Sequence, residues 1–156
     1  MKRVITTVML LTLAGCSGAV NPRVASRLND DAAVAVNGVN PMQGKMITSW
    51  IDRTGGTMSS LFGNDVAATF ARTNGQGAYP AGSVLSLVTW AQQEDARWFG
   101  GQIPAKPRSV EVVTVGSTYS YKRYEGAPLR IVAQEDGASP GERAAYVLAQ
   151  RAAVMP

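Results

Sequence analysis

The chain has 156 residues, with 15 Lys and Arg against 11 Asp and Glu, a formal net charge of +4, and no histidine. The missing histidine excludes a Ser-His-Asp triad and removes the commonest general acid/base and the commonest transition-metal ligand. With a single cysteine it also excludes CxxCH attachment of a c-type haem and any internal disulfide.

The first element is a secretory signal. Lys2 and Arg3 precede an apolar run from Val4 to Leu13, far short of the roughly 20 residues a membrane span needs. "LAGC" at Leu13–Cys16 resembles the lipobox of bacterial lipoproteins. That resemblance implies diacylglyceryl attachment at Cys16, cleavage before it, and acylation (palmitate) of the new terminus. Several acyl chains anchor stably, because each buried methylene contributes about 0.8 kcal/mol. Ser17, in place of an Asp, implies by the sorting rule of that class an outer-membrane lipoprotein facing the periplasm. Residues 1–15 are thus read as signal, 16–40 as lipidated tether and 41–156 as the domain. Without Lys2 and Arg3 the balance is 13 basic to 11 acidic, or +2, with no basic cluster and so no nucleic-acid partner.

The domain's elements follow in order. Residues 17–40 show no sustained periodicity, with a short helix around Arg23 to Val36 as an option. "GKMITSWI" alternates as a strand, with Met46, Thr48 and Trp50 on one side and Ile47, Ser49 and Ile51 on the other. "DRTGG" is turn chemistry, and "TMSSLFG" returns as the second strand of a hairpin. Asn64 caps a helix "DVAATFART" with Val66 and Phe70, joined by Ala67 and Thr73, as its buried stripe.

"SVLSLVTWA" is the strongest strand: Leu85, Leu87 and Thr89 oppose Val84, Ser86, Val88 and Trp90, and both faces suit burial. "IPAKPR" reads as a proline-stiffened loop, and "SVEVVTV" with "STYSYKRYE" as a second hairpin. In the last segment Ser139 and Glu142 form a capping box with Pro140 at the first helical position. Tyr146, Leu148, Ala149 and Ala152 are expected on the sheet, with Glu142 and Arg143 solvated. The class is α+β, mainly β: an antiparallel sheet of about five strands with two flanking helices.

Three segments in this order, "TGGTMSSLFGNDVAATFAR", "YPAGSVLSLVTWAQQ" and "IPAKPRSVEVVTV", resemble the cytochrome P460 domain, a family related to the cytochromes c′-β. The resemblance covers roughly residues 44 to 125. It implies a mainly antiparallel β fold, often a homodimer, holding a c-type haem that P460 members also cross-link to a lysine. The chain departs from the family at the chemistry. CxxCH is absent, and the place of the linking lysine falls at or next to Leu87. No cofactor is expected; haem remains an option only if held noncovalently by a Met, Tyr or Lys.

The residues leave one candidate ligand loop. In "QQEDARWF", which also holds Arg97, Glu94 and Asp95 offer charge to a cation and Trp98 offers a stacking face. The competing reading is a strand end in which Trp98 and Phe99 cover the core. Adjacent carboxylates project apart, so they make a poor acid/base pair. The expected function is a lipid-anchored periplasmic protein with a haem-less P460-like domain in a binding or structural role, its small ligand unidentified. The alternative is a haem protein, an oxidoreductase or gas binder.

Overall fold

The computed structural model describes residues 29–37, 40–73, 77–132 and 137–153. Cys16, the signal and most of the tether lie outside the described residues.

Six strands form one antiparallel sheet in the order of the chain: β1 (Lys45–Asp52), β2 (Thr57–Gly63), β3 (Val84–Glu94), β4 (Gln102–Val115), β5 (Tyr119–Glu125) and β6 (Arg130–Ile131). Helix α1 (Asp65–Arg72) joins β2 to β3, and α2 (Pro140–Ala149) follows β6. The expected mainly β fold with two helices is what the chain forms, with the short β6 added at one edge. No helix among the described residues is long and apolar enough to cross a membrane.

The two faces of the sheet are covered differently. On one, Leu61, Leu85, Leu87 and Val113 meet Ala67, Ala68 and Ala71 of α1 and Ala144 and Val147 of α2, with Tyr79 alongside. On the other, Phe62, Val88, Trp90, Val110 and Tyr124 meet Val34 and Val36 from the chain before β1. The period of two along β3 places Leu85 and Leu87 toward the helices and Val88 and Trp90 away from them.

Helix α1 lies close to the sheet, and that decides which of its residues are buried. A Cβ built on Gly63 would sit 2.7 Å from the Ile47 side chain and 2.9 Å from Ala67 Cβ, so only small side chains fit between helix and sheet. The alanines are therefore buried, while Val66, expected in the stripe, is 43% exposed and Phe70 lies at the margin. Asn64 sets the start of the helix. Its Oδ1 accepts from Ala67 N at 3.0 Å and from Val84 N at 3.2 Å, and its Nδ2 donates to Gly82 O at 2.7 Å. Gly82 has φ +86°, a conformation that favours glycine, and its N–H donates to Val115 O at 2.8 Å.

Three other expectations change. A register shift between Met46 and Thr48 makes Ile47 an extra residue in β1, so Ile47 and Trp50 both join the helix-covered core rather than opposite faces. "IPAKPR" is not a loop: β4 runs through it, pairing Pro107 with Trp90 and Pro104 with Gln92 where the ladder is irregular. A proline has no N–H to give, and irregular ladder positions are where a strand tolerates it. From Asn29 on, the stretch before β1 holds no α-helix. Asp30–Ala32 form one 3-10 turn, and the chain then runs along the sheet as a strap, with Ala32 O accepting from the Trp90 indole at 3.0 Å.

Candidate functional site

The place that the P460 resemblance assigns to the haem-linking lysine lies in the helix-covered core. Leu85 and Leu87 are 0% and 1% exposed, and Leu87 pairs with Leu61 on one side and Glu111 on the other. A porphyrin edge cannot approach Leu87 without displacing the alanines of α1 and α2 packed in that cluster. Helix α2 carries neither Cys nor His. Covalent haem in the family's manner therefore does not fit these residues.

The same core holds an ionic cluster that the alternation of "VEVVTV" does not announce as buried. Glu111 is 2% exposed. Its Oε1 accepts from Arg143 Nη2 at 2.5 Å, and its Oε2 accepts from Arg143 Nε at 3.0 Å and from the Tyr121 hydroxyl at 2.7 Å. This is a two-pronged guanidinium–carboxylate pair that orients the carboxylate and docks α2. Arg143, expected in solvent, instead reaches inward, with its guanidinium 4.8 Å from the Tyr146 ring centroid. The hydrogen bonds with Glu111 hold the Arg143 guanidinium above its ordinary value. Burial first, then the hydrogen bond to Glu111 and its charge, push the Tyr121 hydroxyl up to about 12. All three groups are engaged with one another, so the cluster presents no free acid or base to a substrate.

A cavity opens on the opposite face. It has a volume of about 740 Å³ and is lined by Phe62, Val84, Ser86, Val112, Thr114 and Tyr124 from the sheet, and by Val36, Pro41, Gln43 and Gly44 from the chain before β1. Its size is in the range of small-ligand sites. The floor is mainly apolar because β3 and β4 put valines and short hydroxyl side chains there, and neither α1 nor α2 lies over them. Asn37, Asn40, Lys45, Asp65 and Lys122 stand at its margin. Lys45 Nζ and Asp65 Oδ1 are 2.9 Å apart, and Lys45 holds the Asp65 carboxyl below the usual carboxylate range. Lys122 forms no ion pair among the described residues. The alternation that turns Tyr121 toward Glu111 turns Lys122 and Tyr124 toward the cavity, which parts the basic and aromatic residues of β5.

The predicted ligand loop lies elsewhere, at the tip of the β3–β4 hairpin, and its side chains do not converge. Asp95 Oδ1 accepts from Arg97 N at 2.9 Å and lies 3.8 Å from Arg97 Nε, so this carboxylate is used within the loop. Glu94 is the last residue of β3 and exposed. Trp98 and Phe99 are 75% and 105% exposed, so they cover no core. Among the described residues no group of three or more His, Cys, Asp or Glu is placed to hold a metal ion. Comparison with models of known protein families and with curated proteins gives no match for this chain.

Proposed function

We propose that the protein is a lipid-anchored component of the bacterial cell envelope, held through Cys16 at the outer membrane's periplasmic face, whose P460-like domain binds a small ligand without haem chemistry. The observation that carries the binding role is the cavity of about 740 Å³ on the sheet face away from Leu87. Its apolar floor and Lys122 at its margin, which has no ion-pair partner among the described residues, suit a ligand with an apolar body and one acidic group. The lipobox-like Leu13–Cys16 supports the anchor.

Anilinonaphthalene sulfonate has that chemistry and reports burial by fluorescence. The chain from residue 17 onward is expected to bind it saturably at one site. Ser86→Trp, which fills the floor, abolishes binding. Lys122→Ala weakens it by no more than about fivefold, since an exposed ion pair contributes at most about 1 kcal/mol. Saturable binding that Ser86→Trp leaves unchanged sinks the assignment. One observation favours the second reading, a noncovalent haem: the cavity-lining Tyr124 is a phenol of the kind that serves as an axial ligand. A saturable Soret shift with added haemin, abolished by Tyr124→Phe, would establish that reading instead.

A further inference from the structure

We infer that Trp98 and Phe99, at the tip of the β3–β4 hairpin, form a membrane-contact finger that seats in the interfacial layer of a lipid bilayer. In orientation this rests on the reading of Cys16 as the anchor.

The tip is built to present these two side chains. They are adjacent, 75% and 105% exposed, and belong to neither core cluster of the described residues. The loop beneath them is tied at several points. Asp95 N donates to Gly101 O at 2.9 Å, Gly101 N to Trp98 O at 2.8 Å, and Trp98 N to Asp95 O at 3.2 Å. The Asp95 carboxylate adds its bond from Arg97 N. A tied loop loses little conformational freedom when its side chains enter another phase, so the apolar gain of seating them is kept. An indole beside a guanidinium and a phenyl ring matches the interface: the indole N–H and the Arg97 head stay with the headgroups while the rings enter the acyl boundary.

Position supplies an independent observation. Asn29, where the described chain starts, donates from its side chain to Pro104 O at 2.6 Å. Pro104 pairs with Gln92, two rungs before Glu94–Gln102, the last pair of the ladder. Asn29 therefore lies beside a rung about 7 Å from the base of the finger. Cys16 is 13 residues before Asn29 (29 − 16), a span of at most about 45 Å. A bilayer that holds the acyl chains at Cys16 is therefore within the tether's reach of the finger.

Charge fixes the kind of bilayer contact. Glu94 and Asp95 against Arg97 leave the tip at −1, so anionic lipid gives no attraction and seating is through the rings.

The full chain, expressed with its own N-terminus, is reconstituted in phosphatidylcholine vesicles with or without phosphatidylglycerol. The lipids are unlabelled, brominated near the glycerol, or brominated at the chain ends. Subtracting the emission of Trp98→Phe isolates Trp98 from Trp50 and Trp90. Trp98 emission is expected to be lost with bromines near the glycerol, to survive those at the chain ends, and to be indifferent to phosphatidylglycerol. Unquenched Trp98 emission overturns the finger, as does Trp98 emission that shifts with protein concentration in the absence of lipid, which would make a second copy the occupant. The mass of the peptide containing Cys16 reports the anchor separately. An unacylated chain whose Trp98 is still quenched on adding vesicles keeps the finger and loses the anchor; an acylated chain without quenching does the reverse.

Discussion

Glu111 shows how one residue can be misjudged from its neighbours. In "SVEVVTV" it reads as a polar position on a strand, and nothing local says that a helix some thirty residues later will cover it. Its burial depends on Arg143, which the helical pattern of α2 assigns to solvent and the fold turns inward. Glu111→Ala leaves a half-buried guanidinium and a phenol without their acceptor. It should lower unfolding free energy by roughly 2–3 kcal/mol in urea titrations, less than for a fully enclosed pair because the Arg143 side chain is 26% exposed. Replacing both residues, as Glu111→Leu with Arg143→Leu, should recover most of that loss. A double variant as unstable as the single one would mean that the pair does more than satisfy itself. The cluster also sets an alkaline limit. Tyr121 binds its proton more tightly folded than unfolded, so its contribution is complete below about pH 10 and is lost as pH rises toward about 12. Tyr79, raised by burial against the opposing Arg151, acts in the same direction. Thermal unfolding followed from pH 9 to 12 should show a falling midpoint, and Tyr121→Phe should flatten part of the fall.

Elements were the most legible scale, because their signals are local. The capping box of α2 forms as its spacing predicts, with Glu142 N donating to Ser139 Oγ at 3.2 Å and Ser139 N to Glu142 Oε2 at 2.7 Å. Asn64 was equally readable as an N-cap, but its second task was not. Binding Val84 N and Gly82 O depends on the distant turn before β3. Asn64→Ala should therefore cost more than an ordinary cap, roughly 2 kcal/mol. Asn64→Asp keeps the acceptor for Ala67 and Val84 but turns an oxygen toward Gly82 O, so it should cost less than Asn64→Ala in chemical denaturation without being neutral. The prolines of β4 and the extra residue Ile47 misled for a common reason: ladder irregularities are set by the partner strand, which a single segment's alternation does not contain. On α1 the stripe was right at Ala67 and wrong at Val66, because the buried face is set by how near the helix lies to Gly63 and not by side-chain size alone.

At the scale of the whole molecule, the sheet carries two unlike surfaces, one sealed by helices and one roofed in part by the strap. Among the described residues the strap covers only part of the β2–β5 floor, and the cavity is thus a property of how distant segments pack. No stretch of "SVLSLVTW" signals it, whereas the opposite face of the same strand read correctly as apolar and covered. The strap's hold is testable. Trp90→Phe removes the indole bond to Ala32 O while keeping an aromatic ring, so amide exchange should speed up in residues 32–37 and stay unchanged in α2. Equal acceleration at both would mean that the strap and the helical layer open together.

The strap also determines how the molecule would respond to being pulled. Force applied at its N-terminal end reaches Asn29–Pro104 and Ala32–Trp90, contacts with the two central strands, before it reaches edge strand β1. The strap must slide lengthwise off the sheet before β1 can be peeled from β2 one rung at a time. It is a strain relief for the sheet's edge, placed between the load and the part of the fold that would unzip.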